Sequence, residues 1–256
     1  MDLGMKGKVA MVTGGASDLC AKVCIQLANE GVNVAIADIT PAKEKGEALA
    51  ETLKGLGVKA IFVPIDVTKA EVVDACVATI ENELGHVDIL INGAAYAIPE
   101  RFNLSTHAEW DKIINVCLYG VLNCTKAVIQ GMIDREDGNI VNILGEAGRV
   151  GEPRLSVTSA ARGGVGVFTK ALAKEVGRYN INVNGVALGL IRTSSLNTHS
   201  NEEWLEKNKE KINLLYPLHR ISVPDDIAPT VVYLASENAG FITGQIVSVS
   251  GGYSMI

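Results

Sequence analysis

A chain of 256 residues with a net charge of −6 is long enough for one sizeable core and has the wrong sign for nucleic acid or an anionic membrane. Hydrophobic residues make up 48% and charged residues 20%, which excludes a disordered or fibrous chain and fits an α/β globular protein. The N-terminus lacks the long apolar stretch of a signal peptide, and no segment is expected to reach membrane-spanning length.

Seven short apolar runs alternate with longer amphipathic segments. The predicted strands are Val9–Thr13, Val32–Ala37, Ala60–Val63, Ile89–Ile91, Ile140–Ile143, Ile181–Val186 and Ile246–Val249. Their nearly unbroken hydrophobicity predicts strands covered on both faces. Between them the pattern predicts helices near 19–30, 41–55, 69–84, 106–133, 159–178 and 225–236. Pro41 and Pro224 fall at early helical positions, and Gly31, Gly57 and Gly85 where helices should stop. This alternation predicts one domain over residues 1–256: a Rossmann-like, doubly wound parallel sheet of about seven strands with helices on both faces. The polar stretch 193–216 interrupts it and is expected to form a lid-like helical insertion.

The five cysteines (Cys20, Cys24, Cys76, Cys117, Cys124) have no Cys-x-x-Cys spacing and are expected to be reduced, buried and cytoplasmic. None of the four histidines (His86, His107, His199, His219) stands at metal-ligand spacing from another His or Cys, and no metal is expected.

The first strand runs into Thr13-Gly-Gly-Ala-Ser-Asp-Leu-Cys20, and the second ends at Asp38. Asp66-Val67 follows the third, and Asn92-Gly-Ala-Ala95 the fourth. Further on stand Ile114-Asn-Val-Cys-Leu-Tyr-Gly120, Asn142-Ile-Leu-Gly-Glu-Ala-Gly148 and Ser156-Val-Thr-Ser-Ala-Ala-Arg-Gly-Gly-Val165. With Asn182–Ala187, Pro217–Ile227 and Ile242–Gly252, this series resembles the short-chain dehydrogenase/reductase family over about the whole chain. Leu188 stands where that family has Pro.

The resemblance implies a nicotinamide dinucleotide site at Gly14, Asp38, Asp66, Val67 and Asn92. Asp38 would bind a ribose 2′-hydroxyl, favouring NAD over NADP. Two glycines of the family's phosphate turn are replaced by Asp18 and Cys20. A carboxylate aimed at a phosphate about 4 Å away would cost roughly 4 kcal/mol at an effective dielectric of 20, on the order of three decades in affinity. Asp18 turned outward would instead cap the helix. Cys20 adds bulk where the helix meets the strand. Binding of NAD is therefore expected to be weak or lost.

The family's catalytic Ser, Tyr and Lys correspond to Gly145, Thr158 and Arg162. Gly145 has no hydroxyl, Thr158 has no phenol that ionises near neutrality, and Arg162 is a larger, differently shaped donor than lysine. Of the wider catalytic set Asn115 remains, with a structural role at a helix kink as its plainer reading. Glu146, Arg162 and Ser156 or Ser159 offer an alternative, non-redox acid/base site.

The resemblance thus implies a catalytically silent subunit of a hetero-oligomeric NAD-dependent dehydrogenase, acting on a 3-hydroxyacyl-CoA in aromatic degradation. NAD would be held by a paralogous active partner and not tightly by this chain. The alternatives are an active NAD-dependent alcohol dehydrogenase or ketoreductase, a homo-oligomer, and a hydrolase or lyase on the same fold. Gly163, Gly164 and Gly166 cost about 1 kcal/mol each in a helix relative to Ala, and so point to a close approach. The uncharged tail Tyr253–Ile256 is expected to reach a partner's substrate site or the subunit axis next to it.

Overall fold

The computed structural model describes residues 2–193 and 202–256. Seven parallel strands form one sheet in the order β3-β2-β1-β4-β5-β6-β7. They are β1 (Val9–Thr13), β2 (Asn33–Asp38), β3 (Ala60–Pro64), β4 (Ile89–Asn92), β5 (Gly138–Gly145), β6 (Ile181–Leu188) and β7 (Ile246–Val249). The order reverses between β1 and β4, which opens a crevice beyond the carboxyl ends of those two strands.

The two-residue repeat of a strand sorts each apolar run onto both faces. Ala10 and Val12 of β1 pack under α1 (Asp18–Asn29), α2 (Lys43–Gly55) and α10 (Pro224–Leu234). Val9 and Met11 pack on the other side with α3 (Ala70–Glu83), α5 (Gly120–Arg135) and α7 (Ser156–Val176). All five residues of β1 are buried, so the expected two-faced core is present. Gly31, Gly57 and Gly85 have positive φ beyond the ends of α1, α2 and α3, as helix-stopping residues do.

The helix expected over 106–133 is α4 (His107–Ile114) running into α5 through a π-helical turn at Asn115–Tyr119. Thr106 and Glu109 close its start with a reciprocal capping box. By length and composition His107–Arg135 is apolar enough to cross a membrane, contrary to the expectation that no segment is. Its apolar side holds Val121, Cys124, Val128 and Met132, which are buried in the core.

A short helix, α6 (Ala147–Val150), lies between β5 and α7. Of the insertion near 193–216, residues 194–201 lie outside the described residues. The remainder forms α8 (Glu202–Lys207) and α9 (Lys209–Leu215). Ile212 joins Tyr216 and Ile221 in a small apolar cluster against Tyr253 of the tail. Tyr216 and Tyr253 stack with centroids 5.2 Å apart, and Ser254 is buried. Half of the tail is therefore packed within its own subunit, and only Met255 and Ile256 stay exposed.

Candidate functional site

A cleft of about 680 Å³ lies at the strand-order reversal, lined by Gly14, Ser17, Asp38, Asp66, Val67 and the loop after β4, among others. Lys112 and Asn115 close it from the long helix. Of the residues expected to bind the dinucleotide, Gly14, Asp38, Asp66 and Val67 thus come together here. Asn92 does not line the cleft. Its amide nitrogen donates to Asn142 Oδ1 at 2.8 Å, and Asn142 donates to Thr169 at 2.8 Å, a buried ladder that ties β4 to β5 and α7.

Gly14 takes φ +66°, and an added Cβ would lie 3.0 Å from the backbone of Ala94. The turn can therefore press on the β4 loop only with glycine there. Beyond it the phosphate turn departs from a phosphate cradle. The Ala16 N–H, near the start of α1, donates to Asp38 Oδ2 at 2.9 Å, while Asp38 Oδ1 accepts from Ile39 N–H at 2.8 Å. Asp18 sits in the first turn of α1, where the helix dipole favours a carboxylate, and it does not line the cleft. Ser17 stands at the N-cap position of α1 without a side-chain cap, its hydroxyl donating to the Gly14 carbonyl at 2.7 Å.

Cys20 is buried in the first turn of α1. Its sulfur fills the space that a Cβ on Gly93 would need. Burial pushes the Cys20 thiol up to about 11 and the Cys76 and Cys124 thiols up to about 12, and all five cysteines are free and buried. They are packing residues. Asp66 accepts from the Thr68 hydroxyl at 2.6 Å, which holds its carboxyl below the usual range.

The catalytic corner is altered in a matching way. The Arg162 guanidinium occupies the space next to Gly145, so that a Cβ there would collide with Arg162 Nη1. Thr158 is buried, and its hydroxyl has no hydrogen-bond partner among the described residues. Asn115 lines the cleft, but the side chain tied to the facing loop at the kink is that of Cys117, which donates to the Tyr96 carbonyl at 3.0 Å.

Glu146 is fully buried, accepts from the Ser248 hydroxyl and faces Arg149 at 3.6 Å. Ser159 accepts instead from the Glu152 N–H at 3.4 Å. These contacts give the considered acid/base group separate structural partners. Two phenols lie nearby, Tyr216 and Tyr253, and burial pushes both up, opposite to what proton exchange near neutrality needs.

The residues present do not fit a tightly held NAD. The adenosine end keeps Asp38, Asp66 and Val67. At the phosphate end an amide is taken by Asp38, Thr158 and Arg162 do not line the cleft, and the tyrosine and lysine that do, Tyr96 and Lys112, are held against each other with Lys112 Nζ 4.1 Å from the ring centroid.

The chain belongs to the short-chain dehydrogenase/reductase family, whose members generally use NAD(P). A family model described as enoyl-(acyl carrier protein) reductase matches residues 14–254. The 3-oxoacyl-[acyl-carrier-protein] reductase FabG of Staphylococcus aureus is 35% identical, covering 97% of this chain and 98% of its own. The (2S)-[(R)-hydroxy(phenyl)methyl]succinyl-CoA dehydrogenase subunit BbsD of Thauera aromatica is also 35% identical, covering 99% of each chain. A crystal structure of a putative short-chain alcohol dehydrogenase from Sinorhizobium meliloti superposes with a TM-score of 0.90 at 29% identity, covering 99% of this chain and 98% of its own.

Proposed function

We propose that this chain is the catalytically silent subunit of a cytoplasmic, hetero-oligomeric NAD-dependent dehydrogenase, with a paralogous active subunit as partner. The observation that carries the reading is the filled catalytic corner: Arg162 packs where a hydroxyl-bearing side chain at position 145 would stand, and Thr158 offers a buried aliphatic hydroxyl. The relative BbsD is named as one subunit of a dehydrogenase that acts on a hydroxyacyl-CoA, which supports both an assembly of unlike chains and that substrate class. Exposed apolar side chains on the long helices, Tyr119 and Val167, and Ile256 at the tail suit contact with another subunit. NAD then resides in the partner.

Purification from the native host tests this. A stoichiometric complex with a family member that keeps Ser, Tyr and Lys is expected, and a homo-oligomer without such a partner overturns the reading. Calorimetry on the isolated chain should detect weak or no NAD binding, since the Ala16 amide at the phosphate turn is already taken by Asp38. The open cleft favours the second reading, an active oxidoreductase in its own right. That reading requires NAD reduction by the isolated chain with an alcohol or hydroxyacyl-CoA substrate.

A further inference from the structure

We infer that the cleft at the strand-order reversal takes an uncharged nucleoside, and that each phosphate added to this nucleoside weakens its binding. This order is the reverse of a nucleotide site built on a helix start, where the phosphates supply affinity. The inference follows from the misfit between the cleft and NAD, and it holds whichever subunit assembles with this chain.

The phosphate end has spent its donors on the protein itself. The Gly15 N–H donates to the Ala37 carbonyl at 3.3 Å, the Ala16 N–H to Asp38 Oδ2 at 2.9 Å and the Ser17 N–H to the Gly14 carbonyl at 3.0 Å. The Ser17 hydroxyl is turned onto that same carbonyl. A phosphate seated here would meet occupied amides and the Asp38 carboxylate, which has no ion pair among the described residues. Asp66 adds a second carboxylate, partly balanced by Lys69 at 3.4 Å. Lys112 is the one cation among the described lining residues, and its ammonium already rests on the Tyr96 ring. The sign of the phosphate end is therefore set by Asp38.

The rest of the cleft suits a nucleoside. An ionised carboxylate only accepts hydrogen bonds, so Asp38 and Asp66 call for hydroxyl or amino donors on the ligand. Ile39, Ile65, Val67 and Val116 give an apolar wall, and Ile39 is 54% exposed, open to be covered by a flat ring. Asn115 offers both a donor and an acceptor to ring heteroatoms. The volume of about 680 Å³ is that of a small-molecule site. A sugar with free hydroxyls on a flat heterocycle meets all of these demands without bringing a negative charge.

Calorimetric titration of the purified full chain with adenosine, AMP and ADP as probes tests the order. Saturable adenosine binding is expected, weakening on the order of tenfold for AMP and again for ADP. Raising the ionic strength should leave adenosine binding unchanged and tighten that of AMP, because salt screens a repulsion. In Asp38→Asn the gap between adenosine and AMP should close, since the amide keeps the size of the carboxyl and drops its charge. Absence of saturable adenosine binding overturns the proposal. So does AMP or ADP binding as tight as that of adenosine, AMP binding that weakens with salt, or an unchanged gap in Asp38→Asn with native circular dichroism. None of these outcomes decides the silent-subunit reading, which rests on the composition of the native complex.

Discussion

The two altered corners of this molecule, the phosphate turn and the catalytic corner, differ in how their new residues are held. At the turn, Cys20 occupies the space beside Gly93, and the Thr13 carbonyl oxygen lies 2.8 Å from the same position. At the catalytic corner, the obstacle to a side chain at Gly145 is the tip of Arg162, and the nearest backbone atom, the Leu188 carbonyl oxygen, is at 3.7 Å. Backbone in a sheet cannot step aside, whereas a guanidinium on a long side chain can swing. The turn is locked in its altered form, and the catalytic corner is merely filled.

The largest effect that would break this comparison is at Gly93. Gly93→Ala should destabilise by about 2–3 kcal/mol in urea denaturation, the range of core overpacking. Adding Cys20→Ala should recover less than half of that, because the Thr13 carbonyl remains. Gly145→Ala should cost below about 1 kcal/mol, as the Arg162 tip moves away. Equal costs at the two glycines would show that the catalytic corner is as rigid as the turn.

A region outside both corners sharpens the contrast. The Arg220 guanidinium grips Asp226 through two hydrogen bonds of 2.5 and 2.7 Å, and Asp226 also accepts from the Val223 N–H at the start of α10. Together these hold the carboxyl at about 2, below its ordinary 3.8. Its folded value is depressed, so its stabilisation is present above about pH 4 and is lost as pH falls toward 2. With Arg220 more than half exposed, the pair is worth about 1 kcal/mol after screening. Asp226→Asn should remove that amount at neutral pH and flatten the acid limb of the stability curve. Glu152 has the opposite sign: its partly buried setting pushes its carboxyl up, against a partial counter-effect of Arg162. Stability should therefore fall as pH rises through the carboxylate range, and Glu152→Gln should reduce that slope.

Much of this frame was legible because burial on both faces leaves apolar runs that alternation alone can find. The π turn at Asn115–Tyr119 was not, since it leaves the apolar spacing of the long helix nearly unchanged. The altered glycine and catalytic positions were visible as substitutions, but their packing was not. Cys20 meets Gly93, and Gly145 meets Arg162, across different elements, and nothing local in the chain announces either pair. Gly163 also answers to such a contact, since a Cβ there would meet the Gly148 carbonyl oxygen at 3.2 Å, whereas Gly166 faces open space. The three-glycine turn thus served two ends that its composition could not separate.

The smallest expected effect concerns Thr158 and asks whether the catalytic corner has settled fully into packing. Its hydroxyl is buried without a partner among the described residues, and an unsatisfied buried group costs about 1–3 kcal/mol. Valine has nearly the same shape and no hydroxyl to leave unpaired. Thr158→Val should therefore be neutral or stabilise the chain by up to about 1 kcal/mol, read as a rise in the midpoint of thermal or urea unfolding. A loss of stability would mean that this hydroxyl has a native partner, such as an ordered water or a group from a second subunit. In that case the corner is still a polar site, and the reading of it as filled packing fails.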